Sequence, residues 1–143
     1  MSGNHNSTIN HNKEVLTKDL NLIQHRNSTI FENGEYFVLS PSVQNKNNWF
    51  DLRKVNLDKK PNDKKGILLI RLLNDFILVD LNKIMSELCD NEPYETTNSG
   101  IHWKFQIRTN ESNKQYIFNT KSKEKIYVDR IDKKQILTAI KEP

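Results

Sequence analysis

The chain has 143 residues, of which 35% are hydrophobic and 28% charged, with a formal net charge of +4 at pH 7. That length fits one domain able to bury roughly two thirds of its unfolded surface. Its single cysteine, Cys89, excludes a disulfide framework and a Cys-based zinc site, no run reaches the roughly 20 apolar residues of a membrane span, and the N-terminus lacks a secretory core, so a soluble, cytoplasmic, basic protein is expected.

Residues 1–12 (MSGNHNSTINHN) are polar and without apolar periodicity, which reads as a disordered tail ahead of a single α+β domain over 13–143. His5 and His11 lie in that tail with no rigid frame to hold a metal. From Lys13 to Gln24, Leu16, Leu20 and Ile23 recur at i, i+4 and i+7, predicting a short amphipathic helix capped by Asn12. Asn33-Gly34 signals a turn and Glu35 to Leu39 a short apolar strand, followed by a polar loop, Ser40 to Asn48, punctuated by Pro41.

Asn48 to Val55 (NWFDLRKV) reads as a strand with Phe50 and Leu52 on one face and Trp49, Asp51 and Arg53 on the other. A Trp beside an Arg on the more polar face is a candidate recognition platform, because both stack on bases or anchor partner proteins. The alternative is a half-buried Trp with Asp51 and Arg53 as a same-face ion pair. Asn56 to Lys65 (NLDKKPNDKK) is a loop with two Lys-Lys pairs, Lys59-Lys60 and Lys64-Lys65, suited to gripping phosphates and equally to a solvated connection.

Lys65 to Leu81 (KGILLIRLLNDFILVDL) is the densest apolar run. Its β-branched residues and central Asn74-Asp75 predict a β-hairpin with those two residues as the loop, both at positive φ. One face then holds Leu68, Ile70, Leu72, Ile77, Val79 and Leu81; the other holds Leu69, Leu73, Phe76 and Leu78, with Arg71 and Asp80 in reach of one another. Such a sheet is expected to be covered on both sides.

Asp80 or Asn82 can cap a helix over Leu81 to Leu88, with Leu81, Ile84, Met85 and Leu88 on one stripe. The acidic connection that follows (Glu87, Asp90, Glu92, Glu95) lacks the spacing of a calcium loop and reads as solvated. Ile101 to Arg108 (IHWKFQIR) alternates cleanly: Ile101, Trp103, Phe105 and Ile107 face the core, and His102, Lys104, Gln106 and Arg108 form a stripe of donors able to lie along a nucleic-acid backbone. Gln115 to Asn119 and Lys125 to Val128 continue an antiparallel meander, and the loop between them adds Lys121 and Lys123 beside Lys125. Asp132 and Gln135 make a capping-box start for a C-terminal helix carrying Ile136, Leu137 and Ile140.

The expected architecture is α+β: a mainly antiparallel, curved sheet of six to seven strands with an N-terminal, a mid-chain and a C-terminal helix. Charge is uneven along the chain, +3 over 54–66, −4 over 67–103 and +5 over 104–143. No Gly-rich phosphate loop, nucleophile elbow or His-based metal motif is present, so no catalytic residue, metal ligand or cofactor is assigned. The first functional reading is a nucleic-acid-binding module that uses Trp49, Arg53, Lys59, Lys60, Lys64, Lys65, Lys104, Arg108, Lys121, Lys123 and Lys125. The second is a non-enzymatic inhibitor or adaptor that docks a folded protein partner. The third is a metal-dependent nuclease, which requires Asp51 and Asp80 to sit on neighbouring strands.

Overall fold

The computed structural model describes residues 13–26, 28–43 and 48–141. The expected tail, with His5, His11 and the Asn12 cap, lies outside the described residues. The chain is α+β, but its strands form two sheets rather than one curved sheet. The first runs in the order β1 (Ile23–Gln24), β2 (Ile30–Glu32), β3 (Tyr36–Leu39), β5 (Lys65–Arg71), β6 (Phe76–Asp80) and β11 (Arg130–Ile131). The second runs β10 (Lys125–Val128), β9 (Gln115–Asn119), β8 (Gly100–Thr109) and β4 (Trp49–Arg53), with β7 (Tyr94–Thr96) paired to the start of β8. All pairings are antiparallel except β3 with β5. A parallel pair needs a long crossover. Here the crossover leaves the first sheet after β3, contributes β4 to the second, and returns through the short helix α1 (Lys54–Leu57).

The division into layers follows from alternation. Leu68, Ile70, Leu72, Ile77, Val79 and Leu81 face Phe50, Leu52, Phe105, Ile107 and Ile117 of the second sheet in one buried cluster between the sheets. Helix α2 (Leu81–Leu88) closes that cluster with Leu81, Ile84 and Leu88, while Met85 stays exposed. On the far side of the first sheet, Phe31, Val38, Ile67, Leu69 and Phe76 meet Val15, Leu16, Leu20 and Leu22 of the N-terminal turn and Ile136 and Ile140 of the C-terminal helix α3 (Lys133–Lys141). The first sheet is therefore covered on both faces, as the hairpin's composition predicts. No helix among the described residues is long and apolar enough to cross a membrane.

Several local expectations are corrected. The hairpin pairs Ile70 with Ile77 and Leu68 with Val79, and Leu72 N–H bonds Asp75 O at 2.8 Å, so Leu73-Asn74 is the loop. Neither Asn74 nor Asp75 takes positive φ. A two-residue shift in register keeps every side chain on its predicted face, because the side-chain period is also two. It does separate Arg71 from Asp80. Arg71 pairs with Phe76, and its guanidinium donates to Ser40 O through Nε (3.3 Å) and Nη2 (2.8 Å) over the Phe31 ring, whereas Asp80 caps α2 by accepting from Asn82 N–H at 2.8 Å.

The N-terminal helix stops early. A π-helical turn over Val15–Asp19 breaks the 3.6-residue repeat, and Asn21 at positive φ turns the chain into β1. Leu16 and Leu20 are buried as expected, but Ile23 is left 73% exposed. Near the start of β8 burial departs from the alternation: His102 is 5% exposed and Ile101 37%, while Trp103 still packs against the cluster between the sheets. The acidic connection supplies β7, which lays the Tyr94 ring over His102. The capping box is present as predicted, with Asp132 Oδ1 accepting from Gln135 N–H and Gln135 Oε1 from Asp132 N–H, both at 2.9 Å.

Candidate nucleic-acid interface

Because Phe50, Leu52, Phe105, Ile107, Ile117, Ile126 and Val128 face inward, the residues alternating with them line the outer face of the second sheet. Register sorts these into rows. Tyr127 lies beside Tyr116, which lies beside Arg108; Lys125 beside Phe118, Gln106 and Trp49; Lys104 beside Asp51; and Tyr94 and Arg53 flank His102 on opposite sides. Aromatic rings and cations are thus interspersed on one face, with Tyr127, Tyr116 and Phe118 as adjoining rings and cations beside them.

The cations rest on the rings. Arg108 Cζ is 3.9 Å from the Phe118 centroid, and the Lys104 Nζ is 5.0 Å from Trp49. Lys125 Nζ stands 4.9 Å from Tyr116 and 5.5 Å from Tyr127, Lys123 Nζ 5.8 Å from Phe118, and Lys121 Nζ 5.0 Å from Tyr94. Tyr116 meets Phe118 and Tyr127 edge-on at 6.5 and 5.6 Å. Trp49 is 38% and Tyr127 45% exposed, so this face offers π-surface as well as charge to solvent. Hydrogen bonds from Asn110 and then Lys125 lower the Tyr127 hydroxyl pKa below the ordinary tyrosine value. Anions are fewer: Asp51 on the strands, Glu124 in the turn between Lys123 and Lys125, and Glu92 at the rim, 3.8 Å from Lys121.

The turn that carries Lys121 and Lys123 is built by Asn119. This buried amide donates to Leu88 O (2.8 Å) and Asn91 Oδ1 (3.3 Å), and its own Oδ1 accepts from the N–H groups of Lys121 (2.9 Å) and Ser122 (3.1 Å). It ties the turn to the end of α2. Lys123 takes positive φ there, and its Nζ bonds Thr120 O at 2.8 Å.

Seven of the eleven predicted site residues come together here: Trp49, Arg53, Lys104, Arg108, Lys121, Lys123 and Lys125. The loop lysines do not join them, because their contacts are with the first sheet and its edge. Lys64 pairs with Glu32 of β2 at 3.0 Å, Lys65 opens β5 opposite Tyr36, and exposed Lys59 sits in the turn that follows α1. The Lys60 stem covers Gly66 so closely that a Cβ there would come 2.9 Å from its Cε, and its Nζ bonds Pro61 O at 3.1 Å. The expected ion pair between Asp51 and Arg53 is absent among the described residues. Tyr94, Tyr116, Phe118 and Tyr127 were not predicted as site residues. Their signal was alternation, since Tyr116 and Phe118 straddle core Ile117, and Tyr127 sits between Ile126 and Val128.

Asp51 and Asp80 belong to different sheets, and Asp80 is occupied in capping α2, so the shared metal pair has no geometric basis. No cluster of metal-ligating side chains occurs among the described residues. Burial pushes the Cys89 thiol up to about 12, far from a reactive thiolate. A scan of protein-family models, a search of curated proteins and a search of solved structures each returned no match. What the fold and face define is a class: a two-sheet α+β protein with one aromatic and cationic sheet surface.

Proposed function

We propose that this protein binds single-stranded nucleic acid across the outer face of its second sheet. Bases stack on Trp49, Tyr116, Phe118 and Tyr127, and phosphates meet Arg53, Lys104, Arg108, Lys121, Lys123 and Lys125. The observation that carries the reading is the array itself, in which exposed rings and cations share one sheet face and the cations rest on the rings. Stacking demands bases freed from a duplex, which makes the ligand single-stranded. Displacing a surface cation from its ring costs about 0.5–1 kcal/mol. Base–aromatic stacking returns about 1–3 kcal/mol per base, so the exchange is favourable and releases the cation toward phosphate. A cytoplasmic setting goes with this reading.

The test is fluorescence anisotropy of a labelled oligothymidine titrated with protein between 50 and 200 mM salt. If four cations each neutralise one phosphate, log K falls against log salt with a slope of about −3. Absence of binding, or binding indifferent to salt, overturns the proposal. The second reading, a non-enzymatic inhibitor or adaptor, draws on the same Trp, Tyr and Arg enrichment, which also marks protein hot spots. It gains its own support from Val55 and Ile101, exposed together beside a cleft of about 270 Å³. A partner retained after nuclease treatment of a cell extract favours that reading.

A further inference from the structure

The edge of β4 opposite β8 borders a cleft of about 440 Å³, within the roughly 300–1,000 Å³ range of small-molecule sites. Across it stand Thr29, Pro41 and Ser42 at the end of the first sheet, and Asn56 of α1. The phase of β4 is set by Asn48 O, which accepts from Ile107 N–H at 3.0 Å. Antiparallel alternation then turns the backbone groups of Phe50 and Leu52 toward β8 and those of Asp51 toward the opposite edge. Trp49, Asp51 and Arg53, at alternate positions on one strand face, also line the cleft.

Asp51 is half-buried, and among the described residues its carboxylate makes no hydrogen bond or ion pair. A carboxylate offers acceptors only and is matched by a pair of donors. Trp49 belongs both to this cleft and to the aromatic array, so a strand lying on the sheet reaches the cleft without leaving the site.

We infer that the cleft takes one unstacked guanine from the strand bound on the adjacent face, an inference that rests on the single-strand reading above. Guanine presents two adjacent donors, N1–H and the N2 amine, to match the two oxygens of a carboxylate. Adenine and cytosine set a bare ring nitrogen beside their amine, which would face the carboxylate's lone pairs. Thymine and uracil offer one N–H between two carbonyls. The guanine O6, next to N1–H, accepts from the Arg53 guanidinium. The edge of the base is thereby read rather than its stacking surface.

The experiment compares four labelled oligothymidines by anisotropy: unsubstituted, and carrying one central guanosine, adenosine or inosine. The guanosine strand binds about tenfold or more tightly than the unsubstituted one, as one bidentate contact provides. Inosine, which lacks the N2 amine, loses most of that gain, and adenosine shows none. Asp51→Asn collapses the guanosine-to-thymidine ratio toward one, whichever way overall affinity moves on losing a negative charge. Equal affinities in the wild type, or a preference that survives in Asp51→Asn, overturn the inference while oligothymidine binding upholds the outer face. If none of the strands binds, both readings fall. The inosine comparison uses unaltered protein and decides the matter even if the variant fails to fold.

Discussion

The two sheets are built from the same materials and put to opposite use. In the first, Phe31, Leu69 and Phe76 on one side and Leu68, Ile70 and Ile77 on the other are all buried, and the buried cation Arg71 is consumed in bonding Ser40 O. In the second, Phe105, Ile107 and Ile117 are buried on one side while Tyr116, Phe118 and Trp49 share the other with lysines and arginines. The same aromatic residue type is therefore structural or available according to which layer lies above it. Two helical segments cover the first sheet, and no described element covers the outer face of the second.

The largest effect that separates these roles is at Phe105, wholly buried and 5.3 Å from the Phe50 ring between the sheets. Phe105→Ala is expected to cost about 3–5 kcal/mol, a large part of the roughly 5–15 kcal/mol that holds a domain together. Urea denaturation reads it directly. The matching truncation on the outer face, Phe118→Ala, is expected to cost less than about 1 kcal/mol, since it removes surface stacking rather than core. Equal losses at the two positions would mean that the outer face is structural.

Next comes Asn119, where the second sheet's two sides are coupled. Asn119→Ala removes one of the two side-chain donors to Leu88 O, the other being Asn91 Nδ2 at 3.0 Å, and leaves two turn N–H groups without their acceptor, a loss of about 1–3 kcal/mol. It should also weaken oligonucleotide binding by freeing Lys121 and Lys123 from their fixed turn. Phe118→Ala is expected to lower affinity about tenfold, in line with one lost stacking platform. Lys60→Ala, in the loop against the first sheet, should leave affinity unchanged in the same anisotropy titration.

What was legible in the sequence divides along the same line. Alternation assigned the faces of the hairpin and of β4 correctly, because one face of each had to be apolar. The hairpin's register escaped it, since Leu73-Asn74 and Asn74-Asp75 are both acceptable loops and differ by a shift that leaves the faces intact. Sheet membership escaped it too, because β3 finds β5 as a parallel neighbour across 25 intervening residues, a pairing no local pattern encodes. Charge counting located Lys104, Arg108 and Lys121 to Lys125 but equally promoted Lys64, whose partner Glu32 lies 32 positions away. The rings escaped because attention to charge passes over Tyr116 and Phe118, ordinary strand residues until the turn at Asn119 brings lysines above them.

The smallest expected effect concerns that first-sheet cluster and pH. Burial pushes the Glu32 carboxyl up, but hydrogen bonds and charge from Lys64 (3.0 Å) and His25 (2.7 Å) outweigh it and hold the pKa below the ordinary glutamate value of 4.5. A carboxyl with a lowered folded-state pKa binds fewer protons when folded than when unfolded. The stability it contributes is present above the unfolded value and lost as pH falls through the folded one. Between pH 6 and pH 3 the wild type should therefore lose slightly more stability than Glu32→Gln, which has no carboxyl to protonate, and urea midpoints at the two pH values measure the difference. Glu32 lies on the first sheet and pairs with none of the cations proposed to meet phosphate, so oligonucleotide affinity of Glu32→Gln should match the wild type at pH 7. A parallel loss of affinity would instead tie the lysine loop to the binding face and erase the distinction between the two sheets.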